Sequence, residues 1–450
     1  MHRKRQTSPI VTIIGLLALT CACAPKSPQS FEDTGSDSSD DDVGDEVGES
    51  SAGDDSSSEG GETTGSDGDA CASALDILVV VDNSGSMGPV QRNLAAALPT
   101  LIAGLDQASV DWRLALTTTD NGNPWCSAST TSPESGNFVH SSCRDRIDDF
   151  LFGDNIDVRD EACLDICELS GDALETTPTT TAFDDTAKAR PWLQREGGVL
   201  NLSAGTSLAA ALPCLIPQGV NGCGFEQPLQ SMRLAVARAG SDAEDEYGFL
   251  RDEASLLILL VSDEVDCSYA SHAASIFEQD DERTFWSNPD DSFPTSAVCW
   301  NAGVTCSGPS SGYTSCEPID LDTLGLPTSS DLAVLHPAQG YADDLLALEQ
   351  SKRAIAGPGV DVAMMAITGV TASGEVIYAD VTTTDPDFQI NFGIGPSCAR
   401  AEGSDTIRGL PPVRIREVAE QLSSDPLRSV CDEDFKPTML ELIDRLVGDC

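Results

Sequence analysis

The residues best suited to chemistry lie in one short polar run, Asp82-Asn83-Ser84-Gly85-Ser86. A hard divalent cation such as Mg2+ takes oxygen ligands in a compact octahedron and keeps several waters. Ser84 and Ser86, one residue apart, can offer hydroxyl oxygens directly, Asp82 brings negative charge, and Gly85 lets the loop turn sharply between them. The bare Asp-x-Ser-x-Ser pattern is weak evidence in a chain this rich in Asp and Ser, and Asp54-Asp55-Ser56-Ser57-Ser58 repeats it. Context separates the two. Only Asp82 follows an apolar run, Leu75-Asp76-Ile77-Leu78-Val79-Val80-Val81, and precedes apolar residues at helical spacing, Leu94, Leu98, Leu101, Ile102 and Leu105.

Ser86 on a strand-to-helix turn also invites a serine hydrolase reading. Gly85-Ser86-Met87-Gly88 is not a Gly-x-Ser-x-Gly elbow, however, and His272 and His336 stand in or beside loops rather than in an evident partner segment. No catalytic residue is therefore expected, and the chain reads as a binder rather than an enzyme.

The elements that must position the Asp82 loop follow from periodicity. Leu75–Val81 has the pattern of a strand covered on both faces of a parallel sheet. The same grammar returns downstream, with strands at Val110–Thr117, Leu256–Val261, Val360–Ile367 and Leu427–Val430. Helices are expected at Leu208–Leu215, Leu229–Ala239, Tyr341–Ile355, Val413–Leu422 and Pro437–Val447. Alternating strands and helices predict an α/β fold, a doubly wound, Rossmann-like, mostly parallel sheet flanked by helices. Ligands of such sheets bind at the carboxyl ends of the strands, where Asp82 stands.

Two stretches, 121–199 and 267–331, do not fit that core and are rich in Ser, Thr, Asp, Gly and Cys. Loops this long need a function or cross-links. Cysteines supply the latter, and the nearest pairs are Cys126 with Cys143, Cys163 with Cys167, Cys214 with Cys223, and Cys306 with Cys316. Connectivity is not fixed by sequence. Structural zinc is disfavoured, because no tight CxxC pair is joined by further Cys or His at matching spacing.

The start of the chain reads as an export signal over 1–24: a basic start at His2 to Arg5, then an apolar run from Ile10 to Leu19 too short to span a bilayer comfortably. Leu19-Thr20-Cys21-Ala22-Cys23 looks like a lipobox with Cys23 as the lipidated residue and Cys21 as the alternative. Setting both aside leaves an even number of the 16 cysteines, as an oxidising compartment favours. Residues 25–70 are dominated by Asp, Glu, Ser, Thr and Gly, and read as a disordered, self-repelling tether. With a net charge of -49, nucleic acid is a poor partner.

Taken together, Asp82, Ser84 and Ser86 match the metal-ion-dependent adhesion site signature of von Willebrand factor type A domains. Ala204-Gly205-Thr206-Ser207-Leu208 resembles that family's second loop, with Thr206 as a ligand. Leu259-Leu260-Val261-Ser262-Asp263-Glu264 resembles its third, with Asp263 as the second aspartate. Glu226-Gln227-Pro228-Leu229, Tyr247 to Asp252, and Ser429-Val430-Cys431 further resemble a group of exported bacterial lipoproteins that carry this domain over about 71–450. Within that resemblance Cys398 and Cys431 look like a pair, and Cys71 with Cys450 would bracket the domain. Glu264 stands where many members carry Gly, with Asp266 close behind. These two carboxylates could take a coordination position, favour Ca2+, or face solvent. The resemblance implies an outer-membrane lipoprotein of the cell envelope, periplasmic or surface-facing. It would bind Mg2+, or Mn2+ or Ca2+, and through it an acidic group on a protein or glycan. The alternative is a structural component of the envelope whose metal only stabilises loops.

Overall fold

The computed structural model describes residues 73–126, 131–153, 156–279, 282–403 and 405–447. The expected signal, the Cys21 and Cys23 lipobox, the tether and the Cys71–Cys450 pair lie outside these residues. A central sheet of seven strands organises the rest: β1 (Ala74–Val81), β2 (Asp111–Thr118), β3 (Leu193–Glu196), β4 (Val199–Leu200), β5 (Ser255–Val261), β6 (Val362–Thr368) and β7 (Leu427–Ser429). Their spatial order is β7-β6-β5-β1-β2-β3-β4, parallel from β7 through β2 and antiparallel at β3 and β4. β1 is central, and Val79 lies between Leu116 of β2 and Leu259 of β5.

Six helices cover the sheet: α1 (Gly88–Gln107), α2 (Leu208–Leu215), α3 (Pro228–Ala239), α4 (Ala338–Ala356), α5 (Val413–Leu422) and α6 (Lys436–Val447). Side-chain alternation along β1 sorts them into two layers. Ile77, Val79 and Val81 pack with Leu94 and Leu98 of α1, Leu212 of α2 and Met439 of α6. Leu78 and Val80 face the other way, onto Leu229 of α3, Tyr341 of α4 and Val418 of α5. Burial on both faces explains the near-continuous apolar sequence of β1. Its one charged member, Asp76, is fully buried and is held by Arg251 at 2.8 Å.

The insertions depart from the expected boundaries. The first does not run unbroken to residue 199, because Leu193–Glu196 adds to β2 as an antiparallel strand. Four residues with a polar half give no clear period, so sequence pattern passes over them. A further insertion follows β6: the short helix Pro386–Phe392 and the hairpin of Cys398–Glu402 with Asp405–Gly409. A third cluster of buried side chains, including Phe225, Phe277, Trp286, Cys299 and Trp300, gives the loops a core of their own.

Disulfides fasten these loops. Cys306–Cys316 and Cys398–Cys431 form as expected. The other nearest-neighbour pairs are corrected: the bonds are Cys126–Cys223, Cys143–Cys163 and Cys167–Cys214, with Cys267–Cys299 in addition. Pairing by proximity in sequence minimises loop-closure entropy, but a bridge needs Cα atoms about 4.4–6.8 Å apart. Cys143, Cys163, Cys167 and Cys214 meet in the apolar cluster that includes α1 and α2, whereas Cys126 and Cys223 meet in the loops' own cluster. Cys126 and Cys223, 97 residues apart, come to a Cα separation of 5.4 Å. Non-reducing peptide mapping should recover these six bonds; a Cys126–Cys143 peptide would contradict the arrangement.

Candidate metal centre

Three parallel strands end side by side, and each hands its last polar residue to the same edge of the sheet. Asp82 follows β1, Asp120 lies just beyond β2, and Asp263 follows β5. The Asp82 backbone extends the ladder, its N–H donating to the Val261 carbonyl at 2.9 Å. Its carboxylate then organises the loop. One oxygen accepts from the Ser84 N–H at 2.8 Å, and the other accepts from the Ser262 hydroxyl at 2.6 Å.

Ser84 and Ser86 are brought together as expected, with hydroxyl oxygens 3.3 Å apart, and the Ser86 hydroxyl donates to Asp263 Oδ1 at 3.1 Å. Ser86 is exposed while Asp82, Ser84 and Asp263 are buried, so the constellation opens outward at Ser86. Gly85 lies in the expected turn, which the Met87 N–H closes by donating to the Ser84 carbonyl at 3.2 Å. It is not among the positive-φ residues, and a Cβ there would come 3.2 Å from the side chains of Phe152 and Ile156. The loop thus packs closely against the strand pair Leu151–Phe152 and Ile156–Asp157, whose side chains would have to give by a few tenths of an ångström to admit a Cβ.

Thr206 is not brought to this group by its contacts. It stands before α2 as expected, but its hydroxyl donates to the Ala173 carbonyl at 2.9 Å. Its position depends on how a disulfide-rich insertion packs, which strand order does not dictate. Of the two extra acids, Asp266 is structural: buried, it accepts from the Leu229 N–H at 3.2 Å and from Arg414 Nε at 2.9 Å. Glu264 is only partly exposed, and its Oε2 is buried with no hydrogen-bond partner. Neither is the freely solvated acid that a surface loop would carry.

Residues outside the motif complete the surroundings. Gln91 of α1 donates to the Asp82 carbonyl and to the Gly219 carbonyl, each at 2.7 Å, and its oxygen accepts from the Gln218 N–H at 2.9 Å. A fully paired buried amide thus pins the loop to its helix. A polar residue among the apolar positions of that helix was its only signal. Glu226 is buried, with Oε2 accepting from Thr119 and Oε1 unpartnered. Asp120 accepts from the N–H groups of Gly122 (2.8 Å) and Cys223 (3.2 Å). Its place after a buried strand, parallel to that of Asp82, could have marked it.

The electrostatics are one-sided. Burial, then the charge of Asp82, pushes the Asp263 carboxyl up to about 8. Burial also raises Asp82 and Asp120, while Glu226 and Glu264 are driven well above the usual carboxylate range by burial and by neighbouring acids. Two orphaned buried oxygens, Glu226 Oε1 and Glu264 Oε2, belong to these acids. Once ionised, both are acceptors, which a hard cation with its waters would satisfy and a further carboxylate would not. Among the described residues, no three His, Cys, Asp or Glu side chains form a ready metal cage. The donor set is instead two carboxylates and two hydroxyls, which suits an ion that retains water.

A pH dependence follows. Asp263 titrates near its ordinary value of 3.8 when unfolded and at about 8 when folded. Between those values the folded protein binds more protons, so stability is fully present below about pH 4 and is lost as pH rises through about 8. Each such group contributes a slope of at most about 1.4 kcal/mol per pH unit. Thermal melts in EDTA should therefore fall from pH 5 to 8, Asp263→Asn should flatten the fall, and saturating Mg2+ should reverse it. A flat EDTA profile in the unmodified protein would contradict this.

No family model matches the chain, and no curated protein matches it. Among solved structures it is similar to the pilus adhesin SpaC from Lactobacillus rhamnosus GG, at 9% identity and a TM-score of 0.30. That match covers 83% of this chain and 30% of the other, so this chain spans less than a third of the adhesin's length.

Proposed function

We propose that this chain is an exported, lipid-anchored envelope protein with a von Willebrand factor type A domain. In this reading the domain holds Mg2+, or Mn2+ or Ca2+, at Asp82, Ser84, Ser86 and Asp263, and through it binds an acidic group on a partner. The single observation that carries the reading is the Asp82–Ser84–Ser86–Asp263 constellation at the carboxyl edge of adjacent parallel strands, with Ser86 facing outward. Strand order supports it, because β1 lies at the switch point where the chain continues to β2 on one side and β5 on the other. The anchor at Cys23, or Cys21, rests on the lipobox alone.

In the cation's role, Ser84 and Ser86 would supply neutral oxygens, and Asp82 and Asp263 negative charge. With only two carboxylates in the immediate set, the ion keeps enough positive character to attract a partner's carboxylate. Sedimentation with envelope fractions of the protein produced without residues 1–24, so that no lipid anchor holds it, tests this. Retention should be saturable in Mg2+, released by EDTA and absent in Asp82→Ala. Retention indifferent to both would refute the reading; cation binding without retention would favour the loop-stabilising alternative.

A further inference from the structure

The mouth of the candidate centre is not flat. Ser86, Asp263 and Glu264 form one wall of a cleft of about 360 Å³, within the size range of small-ligand sites. The opposite wall comes from the insertion after β6, with Asp385, Asp387, Phe388, Asn391 and Phe392 on or beside the short helix and Thr406 and Arg408 on the hairpin. This wall is firmly placed. The Leu410 N–H donates to the Asp263 carbonyl at 2.8 Å, and Cys398–Cys431 ties the hairpin to the segment after β7.

The chemistry of the wall limits what can sit against it. Asp387, Asn391 and Thr406 are exposed and make no side-chain hydrogen bond among the described residues. Arg408 lies over the Phe388 ring at 4.9 Å from its centroid and 3.5 Å from Asp385. A ligand with a fixed positive charge meets Arg408, and one with several negative charges meets Asp385 and Asp387. A hydroxyl meets neither difficulty, since it donates to the carboxylates and accepts from the guanidinium and the amide. The half-buried Phe392 ring offers an apolar surface beside these polar groups, as ligand pockets commonly do.

We propose that this cleft binds an acidic sugar, a uronic-acid unit of a glycan. Its carboxylate sits on the cation at Ser84 and Ser86, and its hydroxyls bond to Asp387, Asn391 and Thr406. The inference rests on the cation reading above and adds the class of ligand. One carboxylate satisfies the cation, and the neutral, hydroxyl-rich remainder suits a wall that carries both signs of charge.

Calorimetric titration of the intact protein in Mg2+ with oligogalacturonides and oligoglucuronides tests it, with neutral galactose and glucose oligomers and a short acidic peptide beside them. Uronides should bind, neutral oligomers should not, and EDTA should abolish binding. Asp387→Ala and Asn391→Ala should each weaken uronide binding about tenfold while leaving Mg2+ affinity within twofold; both residues are exposed, and unchanged melting confirms the fold. Normal Mg2+ binding with no uronide binding, or with acidic peptide bound instead, would overturn this proposal and leave the cation reading standing. Uronide binding unaffected by both substitutions would overturn the assigned contacts. Absence of Mg2+ binding would overturn both proposals.

Discussion

Asp82→Ala should weaken divalent cation binding by at least about 100-fold, close to 3 kcal/mol at about 1.4 kcal/mol per tenfold. The residue supplies charge, and its two oxygens also hold Ser84 through its N–H and Ser262 through its hydroxyl. Its loss therefore removes a negative charge and unfixes the loop that aims both serine hydroxyls. Asp82→Asn separates the two effects, because the side-chain carbonyl still accepts from Ser84 while the charge is gone. That variant should bind cation as poorly as Asp82→Ala yet melt in EDTA at pH 8 no lower than the unmodified protein, since like-charge repulsion with Asp263 and Glu264 is relieved. Isothermal titration and melting curves check both. Cation affinity within threefold of normal in either variant would contradict the assignment.

The largest stability effect is expected far from the site, at Asp76. This carboxylate is fully buried in β1, accepts from the Arg251 N–H at 2.7 Å and from Arg251 Nε at 2.9 Å, and is raised by burial while Arg251 and Arg113 pull it down. Arg251 also donates to the carbonyls of Leu75 (3.0 Å) and Asp111 (3.3 Å), so the pair ties the starts of β1 and β2 to the segment before β5. Asp76→Ala strands a buried guanidinium and should cost about 3–5 kcal/mol. That is a large share of the roughly 5–15 kcal/mol that stabilises most domains. Replacing both partners by apolar residues, Asp76→Leu with Arg251→Met, should recover most of the loss, because desolvation of two charges offsets much of their attraction. Urea denaturation measures this, and a single-mutant cost below about 1 kcal/mol would contradict it.

The layers of the fold were legible because a two-sided sheet imposes long apolar runs and its covering helices impose a 3.6-residue stripe. Leu208–Leu215 and Val413–Leu422 form helices with the expected bounds. What escaped was whatever lacks a period. β3 is only four residues, one strand in from the sheet's edge, and the cleft wall of residues 385–410 is a short helix and a hairpin held by one disulfide. The site divides the same way. Asp82, Ser84, Ser86 and Asp263 meet because β1 and β5 are neighbours in the sheet, and each loop was marked by following a buried apolar run. Thr206, Glu226 and the distant cysteine pairs depend on how insertions pack across the sheet edge. No local pattern encodes that packing.

The most direct test of the central claim is an anomalous difference map from crystals of the protein grown with Mn2+. A peak about 2.1 Å from the hydroxyl oxygens of Ser84 and Ser86, at the distance hard cations keep from oxygen, is the predicted result. A map with no peak beside those hydroxyls, at a Mn2+ concentration that saturates any binding seen in solution, would contradict it.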